Sequence, residues 1–200
     1  DVQDLDCDFY VFSGHKLYAA TGTGVLYGKK KLLDAMPPYM GGGEMVGTVS
    51  FAGTTYAPLP MKFEAGTQNF ASAATFKPAI EFINLLNDNE LVSKIDAIRD
   101  YILDRLSRDE RIRLYGVPRR TNEEKIPLFS FTVEGVHHED LALILDKMGI
   151  ATRSGQMCAE PLMDRYGVTG MLRISLAPYN TMDEAVYFVG CLDKAINMLI

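Results

Sequence analysis

The sequence predicts an α/β chain in two parts: the tail of an α/β domain over residues 1–87, then a compact α+β unit over residues 88–200. Three observations predict it. Two short apolar runs near the start flank a lysine, as strands flank a turn. A stretch rich in Gly, Pro, Thr and Ser follows, and helical periodicity resumes after it. Beyond residue 108 the apolar period switches repeatedly between that of strand and that of helix, in the order β-β-α-β-β-α.

Residues 7–12 and 24–28 read as short apolar strands. Residues 30–36 make one or two helical turns, stopped by Pro37-Pro38. Residues 37–68, with Gly41 to Gly43, read as one long loop, a length that usually goes with function or mobility. Residues 69–87 turn helical, with Phe70, Ala73, Ala79, Phe82, Ile83 and Leu86 on one face and a kink expected at Pro78. Leu91, Ile95, Ile98, Ile102 and Leu106 then recur at helical spacing and predict an amphipathic helix. Strands are expected over 111–115, 128–133, 150–153 and 171–176. The segment 138–148 carries Leu141, Ile144, Leu145 and Met148 on one stripe, and Gly149 stops it. Thr181 with Glu184 forms a capping box ahead of a last helix, whose buried side is expected at Val186, Val189, Leu192, Ile196 and Leu199.

The chain is 48% hydrophobic with a net charge of −6. That balance supplies a core and argues against nucleic acid and anionic membrane surfaces as partners, since both select basic faces. The longest uncharged stretch, 45–61, holds too much Gly, Thr and Pro to span a bilayer. Three scattered cysteines without CxxC spacing fit a reducing cytoplasm. Cys7 and Cys191 read as core residues. The acidic start, without an initiator Met, is expected to mark a fragment.

Four features could carry chemistry. Lys16 lies between the first two strands, beside Ser13 and His15. A buried lysine has a lowered pKa and attacks carbonyls; a lysine at a strand end simply snorkels to water. Cys158 lies in a Gly-containing loop with Arg153 nearby, where it is either a reactive thiolate or a small buried hydrophobe. Arg173 interrupts the apolar run MLRISL, either as a fork for a carboxylate or as an edge-strand residue facing water. His137-His138 does not offer metal-ligand spacing, because adjacent residues do not share a helix face.

The ordered set DFYVFSGHKLY…GTGVLYGK, FEAGTQN, RSGQMCAEPLM and LRISLAPYNT resembles the SUF-type (group II) cysteine desulfurases of the class V aminotransferase family. Selenocysteine lyases look very similar. The resemblance runs from Asp1 to Ile200 and implies the C-terminal half of a fold-type I, pyridoxal phosphate-dependent transferase. Residues 1–87 would then be the end of the large cofactor domain, and 88–200 the small domain with the cysteine loop.

By resemblance, Lys16 bonds to pyridoxal phosphate and shuttles protons, Ser13 and His15 hold its phosphate, and Thr67 reaches the phosphate in the partner subunit of a homodimer with shared sites. Cys158 takes sulfur as a persulfide, Arg173 clamps the substrate carboxylate, and Arg153 lies close to the cysteine loop. The implied reaction converts L-cysteine, or selenocysteine in the lyases, to alanine. It passes sulfur to an acceptor protein for iron–sulfur cluster assembly. The departures are Ala19-Ala20, where the family usually has Gly-Pro, and Gln156-Met157, where it usually has two histidines. The family's pyridine-binding aspartate, stacking histidine and phosphate-cup loop lie upstream of Asp1. A non-enzymatic thiol or interaction module is the alternative from another class.

Overall fold

The computed structural model describes residues 1–86, 89–116 and 125–200, and divides them into two compact units at Leu85/Leu86.

In the first unit, β1 (Phe9–Ser13) pairs antiparallel with β2 (Gly24–Gly28), Ser13 facing Gly24. The expected first strand is thus shifted by one or two residues, and neither strand is buried: Val11 is 71% exposed. Cys7 lies just outside β1 and is half-buried, not core. Short helix α1 (Lys30–Ala35) follows.

The expected loop over 37–68 contains a hairpin instead, β3 (Val46–Ser50) with β4 (Gly53–Tyr56). Thr48 and Thr55 share a hydroxyl hydrogen bond of 2.8 Å across it. Its strands are almost wholly exposed, so no apolar alternation betrays them. The helical stretch after it is two helices, α2 (Phe70–Ala73) and α3 (Phe76–Leu86). The break falls at Ala74-Thr75, not at Pro78. Pro78 sits in the first turn of α3, where its missing N–H leaves no helical bond unmade. Of the expected face, Ala79 is buried while Phe70 and Phe82 are exposed.

The second unit opens with α4 (Asn89–Arg108), whose Ile95, Ile98, Ile102 and Leu106 are buried as the periodicity requires. Then come β5 (Ile112–Tyr115), β6 (Leu128–Val133), α5 (His138–Lys147), β7 (Arg153–Gly155), α6 (Glu160–Tyr166), β8 (Met171–Ser175) and α7 (Met182–Leu199). The sheet order is β5-β6-β8-β7, with every pair antiparallel.

Helix α6 is an element the sequence reading omits, so the order after α4 is β-β-α-β-α-β-α. The strand expected at 150–153 lies at Arg153–Gly155. Phe129, Phe131 and Leu172 point into one core with α4, α5 and α7. The alternate residues of the strands face the other side of the sheet.

The capping box at Thr181 is present, Glu184 accepting from the Thr181 N–H at 2.8 Å. That contact holds the Glu184 carboxyl below its usual pKa. The buried stripe of α7 is Ala185, Phe188, Leu192, Ala195 and Ile196; of the expected side, Leu192 and Ile196 are buried, Val189 and Leu199 pack partly buried against the core, and Val186 is exposed. Cys191 is buried as expected. No helix among the described residues is long and apolar enough to cross a membrane.

One tight approach is testable. A Cβ on Gly170, just before β8, would lie 2.3 Å from Nε2 of His138, whose Nδ1 is buried. The ring would have to leave its place at the start of α5. Gly170→Ala is expected to lower stability by about 1–3 kcal/mol, read from the urea midpoint.

Candidate active site

Ser13, His15 and Lys16 lie at one turn. Residues Gly14–Leu17 form a single 3-10 turn directly after β1. Gly14 sits tightly there: a Cβ would meet Phe76 Cζ at 3.0 Å and Thr23 Cγ2 at 3.1 Å, so a neighbour would have to give way. The Gly14 N–H donates to Thr23 at 2.9 Å, and Tyr18 packs edge-on to Phe82 with ring centroids 5.1 Å apart. The Ala20 N–H donates to Thr75 Oγ1 at 2.9 Å, a bond that the Pro usual in the resembled family could not make. Phe76 and Phe82 of α3, with Thr75 just before it, thereby hold the turn at three points. His15 and Lys16 project from it into solvent, so Lys16 is not the buried lysine that one reading of the sequence allowed. Thr67 lies exposed on the bend before α2, whose cap is Asn69. Asp6 forms an ion pair with Lys29 at 2.8 Å.

In the second unit Arg153, Cys158 and Arg173 come together. Sheet register sets Arg153 directly opposite Arg173 on neighbouring strands. The next strand sets Ser130 opposite Arg173, and β5 sets Tyr115 opposite Ser130. Four residues from four strands therefore form one row on the face away from the main core. Strand β8 is central, so Arg173 is not an edge residue; it is half-buried, with its Nε enclosed and lacking an acceptor. Like charges directly opposite in a sheet repel, and an anion in front of them relieves that repulsion.

Cys158 is exposed, not buried as a small hydrophobe would be, and Arg153 Nη2 reaches its Sγ at 3.8 Å. Met157 and Cys158 have φ of 58° and 59°, left-handed values that cost on the order of 1 kcal/mol each for non-glycine residues. The sequence reading missed Ser130 and Tyr115, which nothing local marks; only strand register brings them beside Arg173.

Residues 1–188 match the profile of the aminotransferase class-V family. The chain belongs to that family. Relatives of this class-V chain are cysteine desulfurases. It is 46% identical to a probable cysteine desulfurase of Vibrio cholerae, with 100% of this chain and 48% of that protein covered. It is similar to the crystal structure of the cysteine desulfurase CsdA (S-sulfonic acid) from Escherichia coli, with a TM-score of 0.89 and 43% identity. That match covers 100% of this chain and 49% of the other. The apo cysteine desulfurase of Thermococcus onnurineus also has a TM-score of 0.89, at 33% identity, with 99% of this chain and 49% of that one covered. The chain spans about half the length of the curated relatives it matches. These likenesses agree with the expected α/β fold, part of a fold-type I transferase.

Proposed function

We propose that the class-V chain is the part of a SUF-type cysteine desulfurase that carries the cofactor lysine, the carboxylate-binding arginine and the sulfur-accepting cysteine. One observation carries the reading. An exposed thiol, Cys158, lies 3.8 Å from Arg153, and Arg153 faces the acceptor-less Arg173 across the sheet. L-Cysteine matches both groups, with a carboxylate for the guanidinium and a sulfur for the thiolate. The relatives are named cysteine desulfurases, which favours cysteine over selenocysteine as substrate.

The turn at Lys16 fits pyridoxal phosphate chemically: a hydroxyl and an imidazole suit a phosphate, and an accessible primary amine suits an aldehyde. A groove of about 500 Å³ runs past Ser13, His15 and Thr23. When bound, the cofactor supplies an electron sink at the substrate Cα. Ser13 and His15 bind its phosphate. Thr67 serves the phosphate of a partner subunit, which makes the working unit a homodimer with shared sites. Lys16 holds the cofactor through its amine and moves the proton at the substrate Cα. Arg173 orients the substrate by its carboxylate, and Arg153 lies against the Cys158 sulfur at the cysteine loop.

Cys158 ends with the sulfur as a persulfide and hands it to an acceptor protein for iron–sulfur cluster assembly in the cytoplasm, while L-alanine is released. In this reading residues 1–87 belong to the large cofactor domain and 88–200 to the small domain. The test is incubation of the chain with pyridoxal phosphate and L-cysteine, followed by alkylation and mass spectrometry. A cofactor-dependent persulfide on Cys158 supports the reading; none at any cysteine favours a non-enzymatic thiol module.

A further inference from the structure

His138, the first residue of α5, sits in a tight seat. Gly170 is buried, and a Cβ there would meet the His138 ring at Cε1 and Cδ2, at 2.8 and 2.9 Å, as well as at Nε2. The His137 ring lies 4.3 Å away, centroid to centroid. Nδ1 of His138 is enclosed and has no hydrogen-bond partner. An imidazolium donates from both ring nitrogens, so a protonated His138 in this seat would hold a buried N–H without an acceptor. The first turn of a helix opposes a positive charge further. Burial, and after it the neighbouring His137, push the His138 pKa down; Glu139 and Asp140 act the other way. Among the described residues, no charged group of β7, β8, α6 or α7 acts on the ring.

The seat adjoins the cysteine loop. Gly170 leads directly into β8, whose first residue, Met171, pairs with Gly155 at the end of β7. Cys158 follows three residues after Gly155. Strand β7 has only three residues, so few bonds hold that end. We propose that His138 is an acid-sensitive latch on the cysteine loop: protonation unseats its ring from Gly170 and loosens the β7–β8 end that leads to Cys158. The seated ring stabilises this end fully above about pH 6.5, the ordinary histidine value at which the unfolded chain takes up its proton. That stabilisation is lost as pH falls below it. Only the consequence for sulfur transfer rests on the desulfurase reading.

The test is amide hydrogen exchange of the 200-residue chain, without cofactor or substrate, at about pH 7.5 and about pH 5, corrected for the intrinsic pH dependence of exchange. Amides of 154–158 and 169–172 are expected to exchange about tenfold faster at the lower pH, while those of 95–106 in α4 keep their protection. His138→Gln cannot be protonated, so its corrected exchange at these amides is expected to be the same at both values, whether that end is closed or already loose. His137 accepts from the Glu139 N–H at 3.4 Å through Nδ1, which a protonated ring cannot do. His137→Asn keeps such a cap without titrating and is expected to retain the transition. In the unaltered chain, the His138 ring resonances are expected to titrate below about 6.5.

Unchanged exchange in the unaltered chain, the same pH dependence in His138→Gln, its loss in His137→Asn, or a His138 ring that titrates at or above the ordinary value would each overturn the proposal. Persulfide formation on Cys158 is read separately. Its absence beside an intact exchange transition counts against the desulfurase reading alone.

Discussion

Cys158→Ala is expected to abolish persulfide formation, by at least about a thousandfold, while pyridoxal phosphate binding survives. The reason is elemental: a sulfane sulfur needs a thiolate to bond to, and neither a methyl group nor a hydroxyl can replace it. Cys158→Ser should therefore fail equally. The fold should tolerate both changes, because Cys158 is exposed and outside the hydrophobic core. Its left-handed backbone strains alanine as it strains cysteine, so the urea midpoint should move by less than about 1 kcal/mol equivalent. Buried Cys191 and half-buried Cys7 are poor substitutes. Persulfide formation at the parent rate in Cys158→Ala, mapped to either of them, would show that the nucleophile is misassigned.

Lys16→Ala is expected to eliminate the visible absorbance of bound pyridoxal phosphate and the borohydride-fixed label at position 16. Without the amine only the phosphate contacts of Ser13 and His15 remain, and affinity should fall on the order of a hundredfold or more. Lys16→Arg separates charge from nucleophilicity: guanidinium keeps the positive charge but stays protonated and cannot attack an aldehyde. It too should lose the label. Lys16 is exposed and its turn is held by Gly14, Tyr18 and Ala20, so both variants should fold. A label that persists in Lys16→Ala and maps to Lys29 or Lys30 would remove Lys16 from the site.

Much of the fold is legible along the chain. The stripe Ile95, Ile98, Ile102, Leu106 announces α4 because a helix must bury one face, and a 20-residue element repeats that demand several times. The Thr181–Glu184 pair announces the start of α7 because its bonds span only three residues. Short elements are less legible. Helix α6 has seven residues and buries only Met163, so its period never completes. Strand β7 has three residues and owes its position to pairing with β8. The hairpin β3–β4 keeps its side chains in solvent and leaves no apolar trace.

The sequence by itself determined which reactive groups are present and how each is locally framed: Lys16 on a turn between strands, Cys158 in a Gly-containing loop, Arg173 inside an apolar strand. These depend on neighbours in the chain, where spacing and composition act directly. Only the tertiary structure decided that Arg153 faces Arg173 and that Ser130 and Tyr115 extend their row. The physical reason is strand register. Residues far apart in sequence become neighbours through backbone pairing, and a slip of one residue would turn every side chain of a strand to the opposite face.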